Sequence, residues 1–136
     1  MSEYVFLFRT NEEDRRQAMG TPERAQKAIQ AWIAWMRDLE AKGLMKSYGK
    51  PLETAGKVVR RGSVTDGPFA ETKDIVLGFI IVEAKDLADA ARIAQGCPFI
   101  ARQGSVEVRR WTGPAPPSAE SPKRRRRARE QARRFD

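Results

Sequence analysis

The run Asp74 to Ala84, DIVLGFIIVEA, restricts the fold more than any other stretch of this chain. Its apolar residues fall on both parities and are mostly β-branched or aromatic, which describes a strand with neighbours on both faces. Gly78 interrupts it, and a glycine inside a strand marks a bulge or the close approach of another part of the chain. Tyr4 to Phe8, YVFLF, has the same character and reads as a second strand covered on both faces.

Helical signals stand between and after these strands. Thr21 can cap a helix whose first position is Pro22, where the missing N–H costs nothing. Ala25, Ala28, Ile29, Trp32, Ile33, Met36 and Leu39 then recur at helical spacing, and Gly43 stops the run. Trp35 lies at the edge of that stripe, as a flank of the core, a dimer contact or a wall of a ligand pocket. Lys85 to Gln95 reads as another helix, ended by Gly96. Asn11 to Gly20 is charged and reads as a loop with at most a short helical turn. Lys57–Arg60 and Ser63–Thr65 flank Arg61-Gly62 as a hairpin, and Ser105–Trp111 alternates as a final, half-buried strand. The order predicts an α+β fold: a ferredoxin-like antiparallel sheet with two helices on one face. The other face would then need cover, and a second copy of the chain supplies it at least cost, so a homodimer is expected.

The chain has 136 residues and a net charge of +8, but residues 117–136 hold eight Lys/Arg against three Asp/Glu. The body is therefore only mildly basic. The expected division is a domain over 1–113 and a tail over 114–136, Pro-containing, Arg-rich and flexibly linked. Histidine is absent and Cys97 is the single cysteine. An internal disulfide is excluded, a zinc or other metal site is not expected, and no cofactor is expected. Cys97 follows the end of a helix, where the dipole disfavours a thiolate, and reads as a packed, inert thiol. The apolar run at the N-terminus is too short for a signal peptide or a membrane span, and a cytoplasmic location is expected.

The candidate site is the stretch TDGPFAETKD, Thr65 to Asp74. Asp66-Gly67-Pro68 makes a tight corner: Asp accepts backbone amides just after it, Gly permits positive φ and Pro fixes the exit. Glu71 and Lys73 share one side of an extended segment. Spacing alone favours a solvated charged loop.

Several spaced motifs in one order weigh against that plain reading. FLFR at Phe6–Arg9, the helical Trp35, GKPL at Gly49–Leu52, DGPFAETK at Asp66–Lys73, GCP at Gly96–Pro98 and SVEVR at Ser105–Arg109 together resemble the YCII-related family of small proteins carrying the DGPF motif. The resemblance runs from about Tyr4 to Trp111. It implies a dimeric α+β barrel with a cleft between helix and sheet near the motif loop. Some members of the wider family carry a His–Asp pair suspected of catalysis, which a chain without histidine cannot reproduce. Many end the last strand with Arg-Pro, where this chain has Arg109-Arg110-Trp111.

Two readings of function follow. In the first, the chain binds a small molecule and works as a cofactor-free enzyme. Asp66 or Glu71, partly desolvated, would act as general acid–base. Lys73 and Arg109 would hold an anionic substrate, Tyr48 would donate a hydrogen bond, and Phe69 and Trp35 would line the pocket. In the second, the chain is a regulatory interaction module. The resemblance implies an association with extracytoplasmic-function sigma factors, and Arg124, Arg125, Arg126 and Arg127 would touch nucleic acid or an acidic protein. No membrane partner is expected in either.

Overall fold

A computed structural model of the chain describes residues 1–67 and 74–113. Phe69, Glu71, Lys73, the Pro68–Lys73 part of the DGPF segment and Arg124 to Arg127 lie outside the described residues. The main sheet holds four strands: β1 (Ser2–Thr10), β2 (Met45–Pro51), β5 (Ile75–Ala84) and β6 (Ser105–Arg110), in the order β2-β5-β1-β6. Each neighbouring pair is antiparallel. A separate hairpin, β3 (Lys57–Arg60) with β4 (Ser63–Asp66), is inserted between β2 and β5. The β2-β5-β1-β6 order, with helices in the crossovers, is the expected ferredoxin-like plan. One chain forms an open sheet, not a closed barrel.

Among the described residues three helices, not two, accompany the sheet: α1 (Glu12–Met19), α2 (Pro22–Ala41) and α3 (Leu87–Ala94). The charged segment read as a loop is α1. Asn11 caps it by accepting the Asp14 amide at 2.9 Å, and Glu12, Glu13 and Asp14 complement the positive end of the helix dipole. Its helicity comes from cap and charge, which an apolar-periodicity reading cannot detect.

Helix α2 carries the expected ends, and α3 is shorter at both ends than the Lys85 to Gln95 read from the sequence. The Thr21 hydroxyl accepts the Arg24 amide, and Asp86 accepts the Asp89 amide. At the end of α2, Gly43 donates to Glu40 and Leu44 donates to Leu39, with Gly43 at φ 71°. That is the paired hydrogen bonding of a Schellman ending, and it returns the chain directly into β2.

The core lies between the sheet and the helices. Tyr4, Phe6 and Phe8 of β1 and Ile80 and Val82 of β5 meet Trp35, Met36 and Leu39 of α2 and Ala90, Ile93 and Ala94 of α3. Trp35 is not at the edge of the stripe: it is buried, its ring stacked on Phe6 and edge-on to Phe8. The face built from Trp32, Trp35, Met36 and Leu39 is the one turned to the sheet, which leaves Ile29 and Ile33 partly exposed. Helix α2 is thus rotated relative to the stripe read from spacing, because two tryptophans bury more apolar area than two isoleucines.

The opposite sheet face pairs Val5 with Ile81 and Leu7 with Phe79 across the strands, all four part-buried. Within one chain, strands β1 and β5 are therefore fully covered on one face only. Among the described residues, no helix is long and apolar enough to cross a membrane.

Candidate ligand-binding cleft

Gly78 sets the position of the cleft. The β1–β5 register shifts beside it, between Phe8 and Arg9, so the bulge expected there is present. A close approach is present as well: a Cβ at Gly78 would stand 2.9 Å from the Lys50 carbonyl oxygen. Gly49, at φ 57°, allows β2 to bend against Phe79, where a side chain would run into the Phe79 carbonyl. The β2–β5 register slips on either side of Ser47. The two glycines let this edge strand kink around the bulge, leaving a hollow between the sheet and helices α1 and α2.

The hollow has a volume of about 330 Å³. That is at the small end of the roughly 300–1,000 Å³ typical of ligand pockets, and suits a ring with a short substituent. Its walls are apolar and aromatic. Phe8 stands edge-on to Trp32 at 4.7 Å between ring centres, and Phe99 closes the group at 5.8 Å from Phe8 and 5.6 Å from Trp32. Met19, Ile29 and Met36 complete the apolar lining.

The polar groups are few and of one sign. Arg15, Lys50 and Arg102 line the hollow, and no carboxylate among the described residues does. Arg15 and Lys50 are exposed and mark its mouth. Tyr48 stands there too, half-exposed. A hydrogen bond to Glu40 holds the Tyr48 phenol above its ordinary pKa, so it remains a neutral donor.

Arg102 is held from behind. Asp14 of α1 is buried to 1% exposure and accepts the Thr10 hydroxyl at 2.7 Å and the Gln103 amide at 3.3 Å. Its other neighbour is Arg102, with Nε at 3.6 Å. The guanidinium carbon also lies over the Phe99 ring, 4.9 Å from its centre, as a cation–π contact. Nε is buried and satisfied by no hydrogen bond. An ion pair and an aromatic face thus fix the side chain without consuming its donors.

The sequence-derived candidates fall in different places. Tyr48 is at the mouth, as a hydrogen-bond donor should be. Trp35 lines a second, more open depression with Ala31, Ala34 and Gly96, while Trp32 supplies the indole of the principal hollow. Asp66 is exposed on the β3–β4 hairpin, ion-paired with Lys57, and lines neither hollow. Arg109 sits opposite Val5 in β6, on the sheet face away from the helices. Cys97 is buried, and burial pushes its thiol up to about 11, as an inert thiol requires.

Arg102, Asp14, Arg15 and Lys50 were not singled out by sequence reasoning. Only Lys50 carried a usable signal, standing two residues from Tyr48 beside a turn glycine. Arg102 follows a turn with no periodicity, and Asp14 is hidden in a run of charges that composition assigns to solvent.

Residues 3–112 match the YCII-related domain. The chain belongs to the YCII-related family. No curated protein matches it. Membership accounts for the small α+β domain and assigns no activity or partner, so the function has to be argued from the cleft.

Proposed function

We propose that this YCII-related protein binds a small molecule in the cleft between helices α1 and α2 and the bulged edge of the sheet. The observation that carries the proposal is the triad Phe8, Trp32 and Phe99 lining a hollow large enough for a ring. An aromatic wall beside two strands that Gly49 and Gly78 let approach closely is a binding arrangement.

Acid–base catalysis by carboxylates draws no support from this lining. Asp66 is engaged with Lys57 in the exposed hairpin, and Glu71 is outside the described residues. The activity favoured is therefore binding, without an assigned reaction.

The Ala28→Phe variant tests this. Ala28 lines the cleft, and a phenyl group there fills it. Saturation-transfer NMR with naphthalene-2-carboxamide should show contact with the native protein and none with the variant, at a nearly unchanged melting temperature. Equal signals from both would place the probe elsewhere and refute the proposal.

A homodimer is part of this reading. The pairs Val5–Ile81 and Leu7–Phe79 form an apolar strip on the face the helices leave uncovered, flanked by Glu107 and Arg109. Light scattering at micromolar concentration should give twice the chain mass, and Leu7→Lys should halve it. A native protein that is monomeric there refutes the dimer alone.

A further inference from the structure

We infer that the ligand of this cleft is an aromatic anion, a ring bearing a carboxylate or a similar acidic group, with Arg102 as its principal receptor. This rests on the binding reading above and goes beyond it by assigning the ligand's charge.

Three observations converge. First, the lining contains three cations and, among the described residues, no carboxylate. Asp14 balances one of them from behind the wall. Arg15 and Lys50 meet no carboxylate in an ion pair among the described residues, so positive charge is in excess at the mouth. Second, the Arg102 side chain donates no hydrogen bond among the described residues: its buried Nε faces the Asp14 carboxylate at 3.6 Å, outside hydrogen-bond range. With Nε turned to Asp14 behind the wall, the terminal guanidinium nitrogens are the donors left for an acceptor that arrives with a guest. Third, the arginine is held in place before any ligand binds. Asp14 sets one edge of the guanidinium and the Phe99 ring sets its plane. A planar fork held this way loses little freedom on meeting a carboxylate, which favours a bidentate contact.

The rest of the ligand follows from the walls. Phe8, Trp32 and Phe99 surround the space next to Arg102, so the acidic group must be carried on a ring, not on a flexible polar chain. A cationic guest is disfavoured, because Arg102 would be desolvated against a like charge with Arg15 and Lys50 at the mouth.

The test compares two probes of one shape, 2-naphthoate and naphthalene-2-carboxamide, by calorimetric titration of the full chain. The acid should bind about tenfold more tightly or better at low ionic strength, the scale expected of a charge-assisted contact, and the advantage should shrink as salt is added. Arg102→Gln should erase the advantage and leave the amide's affinity as it was. Should Arg102→Gln fail to fold, the double variant Arg15→Gln/Lys50→Gln decides: both residues are exposed, and their loss should reduce the acid's advantage. Equal affinities for acid and amide, or an advantage untouched in the variant that folds, overturns the anion inference and leaves the binding proposal standing. Failure of both probes to bind overturns both.

Discussion

Replacing Asp14 with alanine should destabilise the protein sharply, although the sequence places this residue in a polar, charged segment. The magnitude follows from its contacts. The substitution removes the acceptor of the Thr10 hydroxyl and of the Gln103 amide, and withdraws the only carboxylate beside Arg102 among the described residues. The cap of α1 survives, because Asn11 binds the backbone amide of residue 14 and not its side chain. Removing one partner of a fully buried ion pair costs about 3–5 kcal/mol. The Arg102 side chain keeps 28% of its exposure and recovers part of its hydration, which lowers the expected loss to about 2–4 kcal/mol. At roughly 4–8 °C per kcal/mol for a domain of this size, the melting temperature should fall by about 10–25 °C. Urea unfolding followed by tryptophan fluorescence measures this directly. A double-mutant cycle with Arg102→Met should then give a coupling of about 1–3 kcal/mol. A loss under about 1 kcal/mol for Asp14→Ala, or no coupling, would show that the carboxylate neither anchors α1 nor holds the arginine.

Two further outcomes follow from the backbone and the core. Gly49→Ala should cost more than about 2 kcal/mol, since the new methyl group meets the Phe79 carbonyl at a positive φ; hydrogen exchange at the Leu52 amide, which is bonded to Leu77, should accelerate, and an unchanged rate would contradict the close packing of β2 on β5. For Cys97, burial raises the pKa from an ordinary 9.0 to about 11, so the folded chain keeps a proton that the unfolded chain releases. Stability should therefore fall as pH rises through this window, by a share that Cys97→Ala removes, and iodoacetamide at pH 8 should label the thiol only after unfolding. Rapid labelling of the native protein would contradict that burial.

The parts of the fold that announced themselves in the sequence are those governed by neighbours a few residues apart. The Arg61-Gly62 turn closed the β3–β4 hairpin as read, and Thr21, Pro22 and Gly43 bounded α2 as read. Gly78 was legible as a bulge or a close approach because few other reasons put glycine inside such a strand. Helix α1 was missed because its apolar face is nearly absent and its stabilisation is electrostatic and tertiary. The orientation of α2 was misjudged because spacing gives the width of a stripe but not which of its margins the sheet prefers. Tyr48 lies at the mouth of the cleft, while the pairing of Asp14 with Arg102 joins residues far apart in the chain that neither periodicity nor composition connects.

The construction of the cleft from two kinds of strand has a mechanical consequence. Phe8 and Ile80 stand on the sheet's inner strands, whereas Tyr48 and Lys50 stand on an outermost one whose ladder is broken in two places. Outer strands come loose at a fraction of the free energy that unfolds a whole domain. The doorway can therefore unzip and reseal while the aromatic floor stays rigid, and a guest touching both would stitch them together. Slowed amide exchange along Met45–Pro51 on loading, with β1 unchanged, is the signature of such a latch.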